Sequence, residues 1–195
     1  MSRIRSLLKP KVVVSAAVVG AVLVGFGLYW FQPWKLFQDE TVNEALPGIS
    51  PTASAPPAGK PAAEPSAEGS PAPSAPAGPK TLVRGEFISH EHETRGSVQV
   101  LELADGSRVL RLTDLETSNG PDLRVWITDA PVKEGTAGWR VFDDGEYVSL
   151  GKLKGNKGSQ NYVIPAEVNL DDFGSVSIWC DRFDVSFGAA ELREV

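Results

Sequence analysis

The chain has 195 residues, 42% apolar and 23% charged, with a net charge of −6 and one cysteine. That acidity removes the basic footprint that nucleic-acid binding requires. One cysteine excludes an internal disulfide framework and any cysteine-cluster zinc or iron–sulfur site, and Met1, the sole methionine, leaves no thioether ligand for copper or haem.

Residues 1–43 form the first block. Arg3, Arg5, Lys9 and Lys11 precede Val12–Phe31, a run free of charged residues. Twenty residues in a helix rise about 30 Å, the thickness of a bilayer's hydrocarbon core. Tyr29, Trp30 and Trp34 collect at the far end, where amphipathic rings favour the interface. A cleaved signal peptide has a shorter apolar core followed by a small-x-small site, whereas bulky residues follow this one. No cysteine follows the core to carry a lipoprotein anchor. The expectation is an uncleaved signal anchor spanning residues 12–31. Basic residues on the N-terminal side and acidic ones beyond place the N-terminus in the cytoplasm and the rest outside, by the positive-inside rule.

Residues 44–80 are rich in Pro, Ala, Ser and Gly and lack apolar periodicity, which predicts a disordered linker. In extended polyproline conformation, the 34 residues Pro47–Lys80 reach roughly 100 Å. Residues 81–195 hold 12 Lys/Arg and 20 Asp/Glu, so this block alone carries −8. It is long enough for one compact domain.

Short β-prone runs fill that last block: Leu82–Ser89, Ser97–Leu103, Arg108–Leu115, Leu123–Thr128, Tyr147–Leu153, Gln160–Ile164, Val176–Cys180 and Phe183–Phe187. Asp105-Gly106 predicts a two-residue hairpin turn, with Leu101 opposite Leu110 and Leu103 and Leu112 on one face. Gly155-Asn156-Lys157-Gly158 predicts a second hairpin. The expected fold is all-β, an antiparallel β-sandwich or flattened barrel, preceded by one transmembrane helix and the linker.

Several spaced motifs carry a resemblance. They are Gly85-x-Phe87; Asn119-Gly120-Pro121-Asp122-Leu123-Arg124-Val125-Trp126; Gly151-x-Leu153-Lys154-Gly155-Asn156-x-Gly158-x-Gln160-Asn161-Tyr162; and Val176-Ser177-Ile178-Trp179-Cys180-x-x-Phe183-x-Val185-x-Phe187-Gly188-Ala189-Ala190. From Leu82 to Leu192 the chain resembles the DM-thirteen domain, found beside DOMON domains in Skeletor-type proteins and alone in bacterial surface proteins. The anchor and linker resemble the membrane-tethered bacterial arrangement. The resemblance implies an all-β electron-transfer domain acting through one cysteine, here Cys180.

On its own chemistry Cys180 admits two readings: a buried thiol acting as a small hydrophobe, or a redox or ligating thiol. Val176, Ile178 and Cys180 are out of phase with Phe183, Val185 and Phe187, which predicts a turn or bulge around Asp181-Arg182. Trp179 and Arg182 are the candidate environment of the thiol, Arg182 favouring the thiolate and Asp181 and Asp184 opposing it. With one sulfur, any thiol–disulfide cycle is intermolecular; a sulfenic acid or a thiolate on a metal or cofactor are the alternatives.

His90 and His92 share a strand face and, with Cys180, form a candidate copper or zinc set; a solvated edge is the alternative. Asp122 reads as a turn residue, Trp126 and Trp139 as packing, and Lys152, Lys154 and Lys157 as solvated charges. No nucleotide loop, haem-attachment motif or catalytic triad is present. The function expected is a membrane-anchored redox module with an unidentified surface partner, its cofactor a redox metal or none. The alternative is a non-catalytic binding or scaffolding β-domain.

Overall fold

The computed structural model describes residues 10–47 and 78–195. Most of the predicted linker, and the basic residues Arg3, Arg5 and Lys9, lie outside the described residues.

Helix α1 runs Pro10–Phe31 with no buried residue, and is long and apolar enough to cross a membrane. A 3-10 turn at Pro33–Phe37 and strand β1 (Thr41–Asn43) follow. The remaining strands are β2 (Lys80–Ser89), β3 (Arg95–Glu102), β4 (Arg108–Glu116), β5 (Leu123–Thr128), β6 (Tyr147–Lys152), β7 (Lys157–Ile164), β8 (Ser175–Cys180), β9 (Val185–Glu191) and β10 (Arg193–Glu194). The fold is mostly β, as expected, a single sheet curled into a half-barrel. Its strand order is β1-β7-β4-β3-β2-β9-β8-β5-β6, with β10 also on β2.

Strand β2 joins the two halves. Its first part pairs with β3, and its last residues, Phe87 to Ser89, pair with β9. The curl brings the inner faces together, with Val98, Val100, Leu110 and Leu112 from one half and Val125, Val176, Ile178 and Cys180 from the other in a common core. Strands β5 and β8 are rich in β-branched and aromatic residues and buried on both faces. Their outer face is covered by the loop of residues 129–146, where Phe142 packs on Trp126 and Trp179.

The β3–β4 hairpin forms with a register one residue from that expected. Leu101 opposes Val109, and Val100 opposes Leu110, so Leu112 faces the core on the side away from Leu101 and Leu103. The two-residue turn predicted at Asp105-Gly106 requires positive φ at both positions. Only Gly106 has it, at +81°. Asp105 instead accepts hydrogen bonds from the Ser107 backbone and hydroxyl (2.9 and 2.6 Å), and Leu103 pairs with Ser107 across a three-residue loop.

The second hairpin is corrected outright. Strand β6 pairs with β5, while β7 pairs with β4 and β1, so the glycine-rich loop between them crosses from one half of the sheet to the other. The Gln160 side chain holds that loop, accepting from the backbone of Lys154 (3.1 Å) and donating to the Gly155 carbonyl (2.8 Å).

Strand β1 supplies the one parallel pair in the order above, with Val42 opposite Gly158. It comes from the chain before the Pro-rich stretch and covers the outer edge of β7.

Candidate functional site

Cys180 ends β8, opposite Leu123 on β5 and Val185 on β9. Its side chain has no exposed surface. Residues 181–184 turn the chain directly after it, in agreement with the phase change in the sequence, and Asp184 takes a left-handed conformation with φ of 49°. Burial pushes the thiol's pKa up, because a thiolate loses its hydration in the core. The backbone N–H groups of Arg182, Phe183 and Asp122 work in the opposite direction without reversing the shift. Cys180 therefore rests as a protonated thiol under a short turn.

The two residues proposed to shape its environment face elsewhere. Trp179, its neighbour along the strand, points to the opposite face. There it stacks on Trp126 with centroids 4.9 Å apart, and Trp126 stacks in turn on Tyr147 at 3.9 Å. Tyr147 is 44% exposed, so the stack runs from beside the cysteine to the surface. Arg182 sends its guanidinium to the end of α1, donating to the carbonyls of Tyr29 (3.2 Å) and Trp30 (2.8 Å) and lying over the Trp30 ring. A cation there satisfies helix carbonyls that lack a partner in the last turn. Phe183 of the same turn stacks on Phe31 at 5.7 Å. Only the Arg182 backbone stays beside the sulfur.

Asp122 does more than turn the chain. Arg124 bridges it to Asp181, at 3.3 and 3.2 Å, and Lys152 approaches its second oxygen at 3.7 Å. This cluster ties the loop before β5 to the turn after Cys180, where the Asp181 N–H also donates to the Asp122 carbonyl.

His90 is buried rather than solvated, and both ring nitrogens are occupied. Nε2 lies 3.0 Å from the Lys133 carbonyl, which can only accept, so this nitrogen carries the proton. Nδ1 then accepts from the Ser186 hydroxyl at 2.8 Å, and Ser177 donates to Ser186 at 2.9 Å. No lone pair on the imidazole remains for a metal. His92 packs its ring on Phe187, with centroids 4.0 Å apart. Burial lowers the pKa of both histidines. Among the described residues, no three His, Cys, Asp or Glu side chains are grouped to hold a metal ion, so His90, His92 and Cys180 are not brought together as a site.

Two of the three lysines expected to be solvated have acidic partners. Lys154 meets Glu44, and Lys157 meets Asp39, each at 2.7 Å. Lys152 remains largely exposed. Spacing could not have shown this, since the partners lie more than a hundred positions away.

Searches of curated proteins and of solved structures give no match. A family model described as electron transfer DM13 matches residues 86–192, more than half of the chain, and includes β3 to β9 with Cys180. By that match, the chain belongs to the electron-transfer DM13 family.

Proposed function

We propose that this protein is a membrane-anchored electron-transfer module outside the cytoplasmic membrane, in which Cys180 exchanges with the sulfur of a partner. The observation that carries the reading is the position of the single thiol: in a domain of an electron-transfer family, it stands at a strand end, one short turn from solvent. Opening residues 181–184 would bring a partner to it. The Cys180 thiolate then attacks one sulfur of a partner disulfide, and a mixed disulfide forms. The second partner sulfur leaves as a thiolate and takes up the proton that Cys180 released. Because burial raises the thiol's pKa, the exchange should speed up as pH rises above 7. The helix Pro10–Phe31 supports the anchoring, and the basic N-terminal flank supports the orientation.

A second reading is favoured by the complete burial of Cys180. In that case the cysteine packs as a small hydrophobe, and the domain is a non-catalytic binding or scaffolding module. Glutathione disulfide separates the two. The full chain in detergent is treated at pH 7 and pH 8.5, with Cys180→Ser as control, and the adduct is measured by mass. Adduct formation on the native chain, faster at the higher pH, supports exchange. An adduct that appears only after denaturation overturns exchange and leaves Cys180 as a packing residue.

A further inference from the structure

The outer edge of β7 and the loop before it form a receptor for a strand. Residues 39–45 lie in it with contacts along their whole length. The Glu40 N–H donates to the Asn156 side chain at 2.7 Å, and the Lys157 N–H donates to the Glu40 carbonyl at 3.2 Å. The Glu44 N–H donates to the Ser159 carbonyl at 2.8 Å, while the Glu44 carboxylate accepts from the Asn161 N–H at 2.6 Å. Arg111 and the Asn161 amide donate to the Ala45 carbonyl, at 3.3 and 3.0 Å.

Charge marks the two ends. Asp39 pairs with Lys157, and Glu44 pairs with Lys154. Asp39 also accepts from the Asn156 amide at 2.9 Å.

The glycines of the loop make the room. A Cβ on Gly155 would run into the Glu40 carbonyl, and one on Gly158 into the Val42 carbonyl. Gly158 also has a φ of +97°, but Gly155 has no such backbone demand. Its lack of a side chain serves the approaching strand. Both glycines belong to the stretch matched by the electron-transfer family, whereas residues 39–45 lie outside it.

We propose that the β7 edge, with Gly155, Asn156 and Gly158 as its floor and Lys154 and Lys157 as its charged ends, is a binding site for an extended acidic peptide, and that residues 39–45 are its resident occupant. Addition of a strand to an open edge supplies sequence-independent backbone bonds, and the side-chain pairs supply the selection. Acidic residues five positions apart, at 39 and 44, are the recognised feature. Being tethered, the resident strand competes with free peptide at high effective concentration. The site must therefore be opened before a peptide in trans can be measured.

The test uses the full chain in detergent. Asp39→Lys with Glu44→Lys places like charges at both ends. The amide of Lys157, which donates to the Glu40 backbone carbonyl, should then exchange with solvent at least tenfold faster, while amides within β3 and β4 keep their protection and report an intact fold. A fluorescein-labelled synthetic peptide of residues 38–47 should bind this opened chain. Adding Lys154→Glu with Lys157→Glu should weaken that binding at least tenfold and restore protection of the amide at position 157, whose acceptor is the Glu40 carbonyl, since the resident strand is again complementary. Unchanged protection in the first variant, no binding of the peptide, or binding indifferent to the lysine reversals would each overturn the proposal. None of these readouts depends on Cys180 or on a membrane, so they stand or fall separately from the electron-transfer reading.

Discussion

Burial and backbone polarity pull on the thiol of Cys180 in opposite directions, and burial wins. Replacing it tests how apolar its surroundings are. Cys180→Ser puts a hydroxyl into the core, where the N–H groups of Arg182, Phe183 and Asp122 offset part of the cost of burying an unpartnered hydroxyl, about 1–3 kcal/mol. Denaturant unfolding should show Cys180→Ser less stable than Cys180→Ala, which removes the sulfur without adding a polar group. The histidines have a different signature. Burial holds His90 and His92 below their ordinary value of 6.5, so as pH falls the unfolded chain takes up protons before the folded one. Their contribution is fully present above about 6.5 and is lost as pH drops from there towards the lower folded values. The urea midpoint should fall between pH 7 and pH 5.5, and His90→Gln with His92→Gln should flatten that slope. Nothing local in His90-Glu91-His92-Glu93 announces a buried imidazole. Ser186 and Lys133, which occupy its nitrogens, are distant in the chain.

Elements were legible where local pattern suffices. Leu123–Thr128 is a strand with the bounds its residues suggest, and the β3–β4 hairpin is present. Register was not legible, because Asp105-Gly106 suits a two-residue turn as well as the three-residue loop that forms. The choice rests on Asp105 staying at negative φ and bonding Ser107. Gly106 alone takes the left-handed conformation, and no atom lies within 4 Å of where its Cβ would be. Gly106→Ala should therefore cost about 1–2 kcal/mol through backbone strain alone. Unfolding in urea measures that loss, and amide exchange should show the β3–β4 pairing unchanged. Strands β6 and β7 resemble a hairpin in sequence for a related reason, although they pair with different strands. A glycine-rich loop between two apolar runs fits a hairpin, but it also fits a crossing between sheet halves.

At the scale of the molecule, the end of α1 and the turn after Cys180 are fastened together. Arg182 holds two helix carbonyls, Phe183 stacks on Phe31, and β1 lies on β7. With α1 in a membrane, this arrangement seats the β-domain against the helix exit rather than at the far end of a tether. Both ends of the Pro-rich stretch then start from the domain, since Ala45 is bound at β7 and Lys80 opens β2. Protease added to intact cells tests the orientation. With the domain outside, it should be cut or released while the cytoplasm stays sealed; protection of the domain would place it inside.

The sequence by itself determined the apolar helix near the N-terminus, the β character of the last 115 residues and the family to which they belong. Each is written in neighbouring residues, as an uncharged run, as alternation of apolar side chains, or as motifs in order. Only the tertiary structure decided that Cys180 is sealed in the core, that His90 is bonded at both nitrogens, and that Lys154 and Lys157 receive Glu44 and Asp39. Those outcomes depend on residues far apart in the chain. A strand edge, a thiol or a lysine is compatible with many partners until the sheet curls and leaves room for one.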